Sequence, residues 1–518
     1  MISATFRAYI FVGCKPCAND TINNRSIEAE QLRRLYQRTG CPLHSAYALP
    51  QLRIFYKQQE NKKTATPVHK WQTIASLVLS RWTGRKELPI SFSEASWTGL
   101  LNIHTCEWDK EILQYLPKPC QEALPNLKDC TDSSAVLGGI REYNVSVDKG
   151  GVKHKNPYWA RWPELRGLSG VEDDGAFACC RLFLGIGDGA SANLGSKCTS
   201  PSRVAVTIGT SAAARVCLLF PSTTSSSSPT SPRDDLRDGE VSIPPGLWCY
   251  RITKDFALVG GALTDGGSVI DWSRNLLNLK GEAEFASCME EVGRLVQQER
   301  WQKRQQKTHD EDNDDCADDS TIETFVPYLS GERSTGFRVG ATAVMSGLTR
   351  NTTPARFLKS CMEGVTLRLN AIVKLINSTI SLDPRFSPTS GVKEKPILVA
   401  SGSALEKNAI WRQMIADCSE MEVVTDSDMN ECTCRGAARL IAAAVCMEYY
   451  PGIDGDKGIG FLLKEENLTP IDVCTPSPNT KHHWTVEAHA QNELIDAVCT
   501  TWLSRGETYK QYPFVAKK

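Results

Sequence analysis

Short apolar runs alternate along the chain with longer stretches in which apolar residues recur at helical spacing. The apolar runs at 204–208, 256–259 and 396–400 lead directly into or towards glycine, which predicts buried strands entering tight turns. Residues 356–376 place apolar side chains three or four positions apart, which predicts a long amphipathic helix. Further helices are predicted at 28–38, 71–82, 408–418 and 434–447. The repeated order of strand, glycine turn and helix predicts an α/β fold.

Three polar stretches interrupt this pattern, near 221–238, 297–320 and 379–395. The first is rich in Ser, Thr and Pro, and such segments bury too little apolar surface to offset the entropy of ordering. The second contains an acidic run that reads either as a solvated charge run or as a metal site. Because it lacks the glycine turn and terminal Glu of a calcium loop, we favour the solvated run. All three are predicted to be insertions.

Composition narrows the class of protein. The chain has 518 residues, of which 41% are hydrophobic and 23% charged, and two domains are the natural expectation at this length. A formal net charge of −1 gives no electrostatic reason to expect nucleic acid or an anionic membrane as partner. The N-terminus is a poor secretory signal, so the expected location is cytoplasmic. The 20 cysteines are then expected to be reduced and mostly buried thiols.

The sequence GIGDGASAN at 185–193 is the first candidate for chemistry. It places Asp188 between glycines directly after an apolar run, and small neighbours allow a substrate to approach closely. The carboxylate could accept a proton from a substrate hydroxyl, or it could cap the helix that follows. Taken alone, the capping interpretation is the stronger one.

Further glycine segments follow in order, beginning with Gly209-Thr210-Ser211 after the strand at 204–208. A glycine with two hydroxyl residues suits a turn whose backbone N–H groups face phosphate oxygens, although a plain β-turn is the alternative. Gly260-Gly261 and Gly402-Ser403 end the next two apolar runs. None of these segments has the spacing of a P-loop or of a dinucleotide-binding GxGxxG motif.

The order and the amino-acid sequences of these segments resemble those of the FGGY family of carbohydrate kinases, especially its gluconokinase-like branch. The matching segments are TGCPLH at 39–44 with Tyr47, SEASWTGLL at 93–101, Trp108-Asp109, GDGASAN, IGTSAAARV, 260–272, PYLSGER at 327–333, 347–349, 363–365 and 400–417. They cover the chain from residue 39 to residue 417.

The resemblance implies the actin-like ATPase (ribonuclease H-like) fold, with two α/β domains around a deep cleft. It implies ATP and Mg²⁺ as cofactors, a small sugar or sugar acid as substrate, and no metal ligand assigned on the protein. Gluconate is the favoured substrate and a ketose such as xylulose the next. A homodimer is compatible with this resemblance.

The resemblance also assigns roles to individual residues. Asp188 would be the general base that takes the proton of the attacking hydroxyl. The nucleotide-side residues implied are Gly209, Thr210 and Ser211 at the β- and γ-phosphates, Gly260 and Gly261 in a turn beside them, Gly402 and Ser403 at the adenosine, and Asn408 near the adenine. Ser403 departs from the usual second glycine.

Other positions leave two interpretations open. His44 and Tyr47 are either substrate-side residues or a packed histidine and a core tyrosine. For Gly331-Glu332-Arg333 a structural ion pair in the cleft wall is favoured over catalysis.

The beginning of the chain lacks one expected family feature. Family members open with a strand and an Asp-x-Gly-Thr/Ser turn that binds phosphate, and no such turn occurs in residues 1–38. We therefore expect an uncertain segment at 1–27, an incomplete sugar-side domain at 28–175 and the ATP-side domain at 176–518. The alternative function is a catalytically impaired protein that binds nucleotide or a partner without phosphoryl transfer.

Overall fold

The computed structural model of the chain describes residues 29–42, 44, 47–60, 68–83, 85, 87–132, 145–147, 153–155, 181–220, 242–301, 323–338, 340–382, 396–427, 431–449 and 467–505. The segment 1–27, the insertion near 221–238 and most of the other two insertions lie outside these residues.

The N-terminal part is built from short helices and strands of two or three residues. Strand β1 pairs in parallel with β4, while β2 with β3 and β5 with β6 form antiparallel pairs. The elements are α1 (Ala29–Thr39), α2 (Ala48–Glu60), α3 (Ile74–Thr83), β1 (Ile90–Ser91), α4 (Phe92–Ser96), β2 (Leu101–Asn102), β3 (Glu107–Trp108), α5 (Lys110–Leu113), α6 (Lys118–Glu122), β4 (Leu127–Lys128), β5 (Val145–Val147) and β6 (Lys153–Lys155).

The C-terminal part contains longer elements around one large sheet. They are α7 (Asp188–Gly195), β7 (Arg203–Ile208), β8 (Ala212–Leu219), β9 (Trp248–Arg251), β10 (Phe256–Leu263), α8 (Ser268–Leu276), α9 (Glu282–Trp301), β11 (Thr324–Val326), β12 (Val344–Ser346), α10 (Pro354–Leu382), β13 (Ile397–Ser401), α11 (Ser403–Glu406), α12 (Ala409–Ser419), β14 (Val423–Asp426), α13 (Cys432–Tyr449), β15 (Pro470–Cys474), a 3₁₀ turn (Pro478–Thr480) and α14 (Lys481–Arg505).

The large sheet has seven strands in the order β15-β14-β13-β7-β8-β10-β9. Strands β7, β13 and β14 run parallel, whereas β8, β10 and β9 extend the sheet beyond β7 with antiparallel pairing, β10 lying between β8 and β9. Strand β15 is antiparallel on the opposite edge. A mixed sheet with helices packed against it confirms the predicted α/β class.

Helix α10 is the centre of the hydrophobic core. Its 29 residues include buried side chains through nearly all of its first six turns, because α8, α9 and α12 pack around it and the sheet lies beneath it. At Gly364 a Cβ would lie 2.5 Å from the carbonyl oxygen of Phe325, so this helix and β11 meet backbone to backbone. The predicted helix at 356–376 is confirmed and extends further at both ends.

The prediction that Gly260 and Gly261 form a turn is wrong. Both residues lie inside β10, which continues to Leu263, and not in a turn after it. A Cβ at Gly260 would lie 2.5 Å from the carbonyl oxygen of Ala214, and one at Gly261 would lie 2.8 Å from Ile372 Cγ2. The glycines are therefore required for close packing on both sides of the strand. The tight turn comes later, before α8.

The cysteines of the described residues are free thiols, and most are buried. This agrees with the prediction of reduced, packed cysteines. None of the helices in the described ranges is long and apolar enough to cross a lipid bilayer.

Candidate active site

Asp188 is the first residue of α7 and its side chain is exposed. The N-cap of the helix is Gly187, which makes no side-chain capping bond. The carboxylate of Asp188 accepts a hydrogen bond from its neighbour's backbone, Gly189 N–H, at 2.7 Å. The capping interpretation of Asp188 is therefore wrong, and the carboxylate is available to a ligand.

Two contacts hold α7 in place. On one side, the hydroxyl of Ser93 on α4 accepts a hydrogen bond from Gly187 N–H at 3.0 Å, and Ser91 Oγ donates to Gly185 O at 2.5 Å. On the other side, α7 packs against α13 so closely that a Cβ at Gly195 or Gly436 would overlap the backbone of the facing helix. The segment SEASW thus supports the loop that presents Asp188.

Glu94 lies beside the same loop. A Cβ at Gly185 would lie 2.9 Å from Glu94 Cδ, and the Oε2 atom of Glu94 is buried without a hydrogen-bond partner among the described residues. Burial raises the pKa of Glu94. The side chain is an acidic group close to the candidate site that the sequence analysis did not single out.

The turn between β7 and β8 consists of Gly209, Thr210 and Ser211. Its carbonyls at Gly209 and Thr210 accept hydrogen bonds from Gly267 N–H at 2.7 Å and Gly266 N–H at 2.8 Å, which joins the turn to the start of α8. In the part of the chain that the structure describes, nothing accepts a hydrogen bond from the N–H groups of Thr210 or Ser211. These exposed groups and hydroxyls suit phosphate oxygens.

Gly402 and Ser403 form the entry to α11. Gly402 has φ +92°, and a Cβ there would lie 2.5 Å from the carbonyl oxygen of Ile208, so only glycine fits. Ser403 begins the helix without a positive φ, so its backbone is compatible with a residue other than glycine. Asn408 caps α12, since its side chain accepts a hydrogen bond from Trp411 N–H at 3.0 Å.

A cavity of about 540 Å³ joins these segments. Gly209 and Thr210 line one side, where a Cβ at Gly209 would meet no atom within 4 Å, while Ser403 and Asn408 line another. The rest of the wall combines apolar side chains, namely Ile270, Phe285, Met289, Ile410 and Trp411, with the charged residues Asp271, Arg274 and Lys407. An apolar slot beside a polar turn is the combination that a nucleotide requires, and the volume falls within the range of small-molecule sites. The other predicted site residues are not part of this wall, namely His44, Tyr47, Asp188, Ser211, Gly260, Gly261 and Gly402.

The two predicted substrate-side residues differ in their surroundings. Tyr47 is buried, and its hydroxyl lies 2.8 Å from the hydroxyl of Tyr250, so the core interpretation has direct support. His44 is partly buried, with its ring 6.3 Å from that of Phe337. Burial and the nearby charge of Arg333 lower the pKa of His44 to about 4. A substrate role for either residue stays a prediction.

Glu332 forms the ion pair that was favoured for the GER segment, although its partner is different. Its carboxylate accepts hydrogen bonds from Arg338 at 3.0 Å and from the hydroxyl of Tyr328 at 2.9 Å. Arg333 itself is exposed, and its charge acts on His44.

Two places among the described residues offer carboxylate groups to a metal ion. The cluster of Glu299, Glu363 and His483 has ligand-like spacing, but Lys359 Nζ lies 2.7 Å from Glu299 Oε1 and 2.6 Å from Glu363 Oε1. The ammonium group therefore already supplies the cation in that cluster. Asp265, beside the start of α8, has both oxygens occupied by hydrogen bonds from serines.

Two family models match the chain. The model described as the FGGY family of carbohydrate kinases, N-terminal domain, matches residues 10–150, and that of the C-terminal domain matches residues 204–445. The chain belongs to the FGGY family of carbohydrate kinases. The N-terminal match includes part of the segment 1–27 that the sequence analysis left unassigned.

Curated relatives in this family match at low identity. The chain is 24% identical over 409 residues to a gluconokinase from Bacillus subtilis, covering 78% of the chain and 64% of the relative. It is 26% identical over 415 residues to a probable glycerol kinase from Dictyostelium discoideum, covering 79% of the chain and 62% of the relative. The chain thus spans less than two thirds of the length of these FGGY relatives.

Solved structures show the same FGGY fold. A xylulose kinase and a gluconate kinase, both from Lactobacillus acidophilus, each match with a TM-score of 0.64 at 20% identity, covering 95% of the chain and 80% of theirs. A Plasmodium falciparum glycerol kinase with ADP matches with a TM-score of 0.56 at 15% identity, covering 91% of the chain and 78% of its own.

Proposed function

We propose that this chain transfers the γ-phosphoryl group of ATP to a hydroxyl group of a sugar or sugar acid. The observation that carries the proposal is the exposed carboxylate of Asp188 at the start of α7. Asp188 is not the N-cap residue of α7, and Ser93 holds the loop before it by accepting a hydrogen bond from Gly187 N–H. Family membership and the cavity beside the Gly209–Ser211 turn support the nucleotide side of this function.

In this reaction Asp188 accepts the proton of the attacking hydroxyl group. The hydroxyl oxygen bonds to the γ-phosphorus, and the bond from that phosphorus to ADP breaks. Positioning and charge stabilisation account for most of the catalysis in such transfers. The N–H groups of Thr210 and Ser211 would bind phosphate oxygens, and the apolar slot between Phe285 and Ile410 would hold the base. Gly209 keeps the space between them open.

A magnesium ion that accompanies ATP neutralises charge on its phosphates when it is bound. Asp271 in the cavity wall and Asp188 at the start of α7 are exposed carboxylates that would contact its water shell, whereas the oxygens of Asp265 are already used. We therefore expect the nucleotide, and not a dedicated set of protein ligands, to hold the ion.

Gluconate is the acceptor we favour. Two of the curated relatives are gluconokinases, and the segments TGCPLH and SEASWTGLL resemble that branch. A ketose such as xylulose is next. A cytoplasmic location and a homodimer stay predictions of the sequence analysis.

The test is an ADP-release assay with gluconate, xylulose and glycerol on the parental protein, Asp188→Asn and the control Asp496→Asn. Asp496 is exposed on α14, far along the chain from the site. We expect Asp188→Asn to lower turnover by about 10²–10⁴-fold, because the general base is lost. The control should retain full activity.

Calorimetry with Mg-ATP separates the alternatives. Binding in both the parental protein and Asp188→Asn, with turnover only in the parental protein, supports the kinase. Binding without turnover in either would favour the impaired, nucleotide-binding protein. Equal turnover in both would overturn the assignment of Asp188.

A further inference from the structure

Arg215 is a charged residue in β8, a strand otherwise made of small and apolar residues. Its cross-strand neighbours are Ala205 on β7 and Gly260 on β10. A Cβ at Gly260 would lie 2.9 Å from Arg215 Cγ, and one at Gly189 would lie 3.2 Å from Arg215 Nη1. The two glycines therefore make room for a guanidinium group that reaches the beginning of α7, next to Asp188.

The guanidinium group is fixed on its other side. Its Nη2 donates to Thr207 Oγ1 at 3.0 Å, and the hydroxyls of Thr207 and Ser401 are 2.8 Å apart. This chain of polar side chains crosses from β8 through β7 to β13, directly before Gly402. The orientation of Arg215 is therefore coupled to the strands that carry both the phosphate turn and the adenosine turn.

The charge of Arg215 is poorly compensated. Its Nε is buried without an acceptor, and no carboxylate of the described residues forms a direct ion pair with it. Burial lowers the pKa of Arg215, and the negative charge of Asp188 opposes that effect. Asp188 is thus the carboxylate whose charge acts on this buried cation.

We propose that Arg215 is a positioning residue that orients the Asp188 carboxylate toward the acceptor hydroxyl, an inference that rests on the proposed function. The hydrogen bond from Gly189 N–H leaves the exposed carboxylate of Asp188 room to turn, and a fixed cation on its sheet side favours one orientation. In the reaction the hydroxyl proton moves to Asp188, the oxygen–phosphorus bond forms and the bond to ADP breaks. Arg215 keeps its own protons throughout.

The kinetic test uses Arg215→Met and Arg215→Lys in the full chain, with Arg203→Met as control. Arg203 lies at the opposite end of β7 and donates to Lys197 O at 3.1 Å. We expect Arg215→Met to lower kcat by about 10²-fold through misplacement of the base, with the KM for ATP unchanged. Lysine keeps the charge but not the planar donor geometry, so the kcat of Arg215→Lys should lie between those of the parental protein and Arg215→Met.

The double variant Asp188→Asn/Arg215→Met shows whether Arg215 acts through Asp188. We expect it to be no slower than Asp188→Asn alone. An independent loss of the same factor would overturn the inference, as would a change in KM for ATP without a change in kcat.

A readout without catalysis keeps the inference testable if the parental chain shows no turnover. The parental protein, the two single variants Asp188→Asn and Arg215→Met, and their double variant form a cycle of melting temperatures. We expect Arg215→Met to change the melting temperature by a different amount when Asp188 is already Asn. Equal shifts in both backgrounds would contradict any coupling between the two side chains. A coupled cycle in a protein without turnover would instead contradict the proposed function alone.

Discussion

Gly402, beside the cavity, and Gly209, in its wall, are glycines for different structural reasons. Gly402 has φ +92°, and its missing Cβ leaves room for the carbonyl of Ile208 on the next strand. Gly209 has no positive φ, and a Cβ there would point into open space. The first glycine is therefore required by the fold, and the second is required only by whatever occupies the cavity.

We predict that Gly402→Ala and Gly209→Ala separate stability from binding. Gly402→Ala should lower the free energy of unfolding by more than about 1 kcal/mol, because both its backbone conformation and its packing exclude a methyl group. Gly209→Ala should leave stability unchanged and weaken Mg-ATP binding about tenfold, since the methyl group occupies ligand space. Urea unfolding and calorimetry measure the two effects. Normal ATP affinity in Gly209→Ala would argue against phosphates at this turn.

At the residue scale the sequence predicted positions better than roles. Asp188, the Gly209–Ser211 turn and the Gly402–Ser403 turn were found from glycine patterns, and Gly209, Thr210 and Ser403 line one cavity. Gly260-Gly261 was predicted as a turn because paired glycines usually mark one. The space that Arg215 and Ile372 need around β10 overrides that local signal, and such packing cannot be read from one segment.

At the scale of elements, a buried cluster of charges joins α9, α10 and α14. The carboxylate of Glu363 accepts hydrogen bonds from Lys359 at 2.6 Å and His483 at 2.7 Å. Burial alone would raise the pKa of Glu363, but the charges of Lys359 and His483 hold it at about 2. Glu299 on α9 shares the same ammonium group. The three helices are thus held by charges as well as by apolar packing.

Glu487 on α14 gives this cluster a dependence on pH. Burial and the charge of Glu363 raise the pKa of Glu487 to about 8, above the value of the unfolded chain. Between these two values the folded protein holds a proton that the unfolded chain has lost, so stability falls as pH rises toward 8. Glutamine has the shape of the protonated acid and does not ionise, so a glutamine at position 487 removes this loss of stability at high pH.

We therefore predict that Glu487→Gln becomes more stable relative to the parental protein as the pH is raised from 5 to 8.5. Melting temperatures across that range test the trend. The control is Glu493→Gln, which lies on the same helix with its side chain 72% exposed and should follow the parental curve. Parallel curves for Glu487→Gln and the parental protein would show that Glu487 is ionised in the folded state.

The elements that the sequence predicted are those with strong periodicity. Helices α1, α3, α12 and α13 and strands β7 and β13 were placed within three residues of their observed bounds, while α10 continues six residues beyond its predicted end. Strands of two residues, such as β1 and β4, are too short to show alternation. They exist because each pairs with a strand distant in sequence, which a single segment does not reveal.

At the scale of the whole molecule, α1 is joined to the C-terminal part by buried polar contacts. The hydroxyl of Tyr36 lies 2.6 Å from Pro244 O and 2.9 Å from Leu247 O, and its one proton is shared between these two carbonyls. Gln37 makes two bonds to the backbone of Ile243, donating from Nε2 to its carbonyl at 2.7 Å and accepting from its N–H at 2.8 Å. Such bonds are strongly directional, so α1 and the segment before β9 have one relative position.

Arg251 strengthens the same junction. Its side chain is fully buried, donates from Nε to Ile103 O at 2.5 Å, and lies 4.3 Å from the ring centre of Phe220. Backbone contacts continue the junction, since Cys249 N–H donates to Gly40 O at 2.8 Å. The two parts of this chain therefore share an interior, and we expect them to unfold together.

Gln37→Ala tests this shared interior. The substitution leaves the N–H and carbonyl of the fully buried Ile243 without partners, so we predict a loss of about 2–4 kcal/mol in the free energy of unfolding. The control is Gln31→Ala on the same helix, where a partly exposed side chain should cost less than about 0.5 kcal/mol. Urea unfolding should show one transition for all three proteins, displaced only in Gln37→Ala. If Gln37→Ala instead lost one part of the molecule in a separate, earlier transition, the parts would be independent and the junction would not be what holds α1 in the fold.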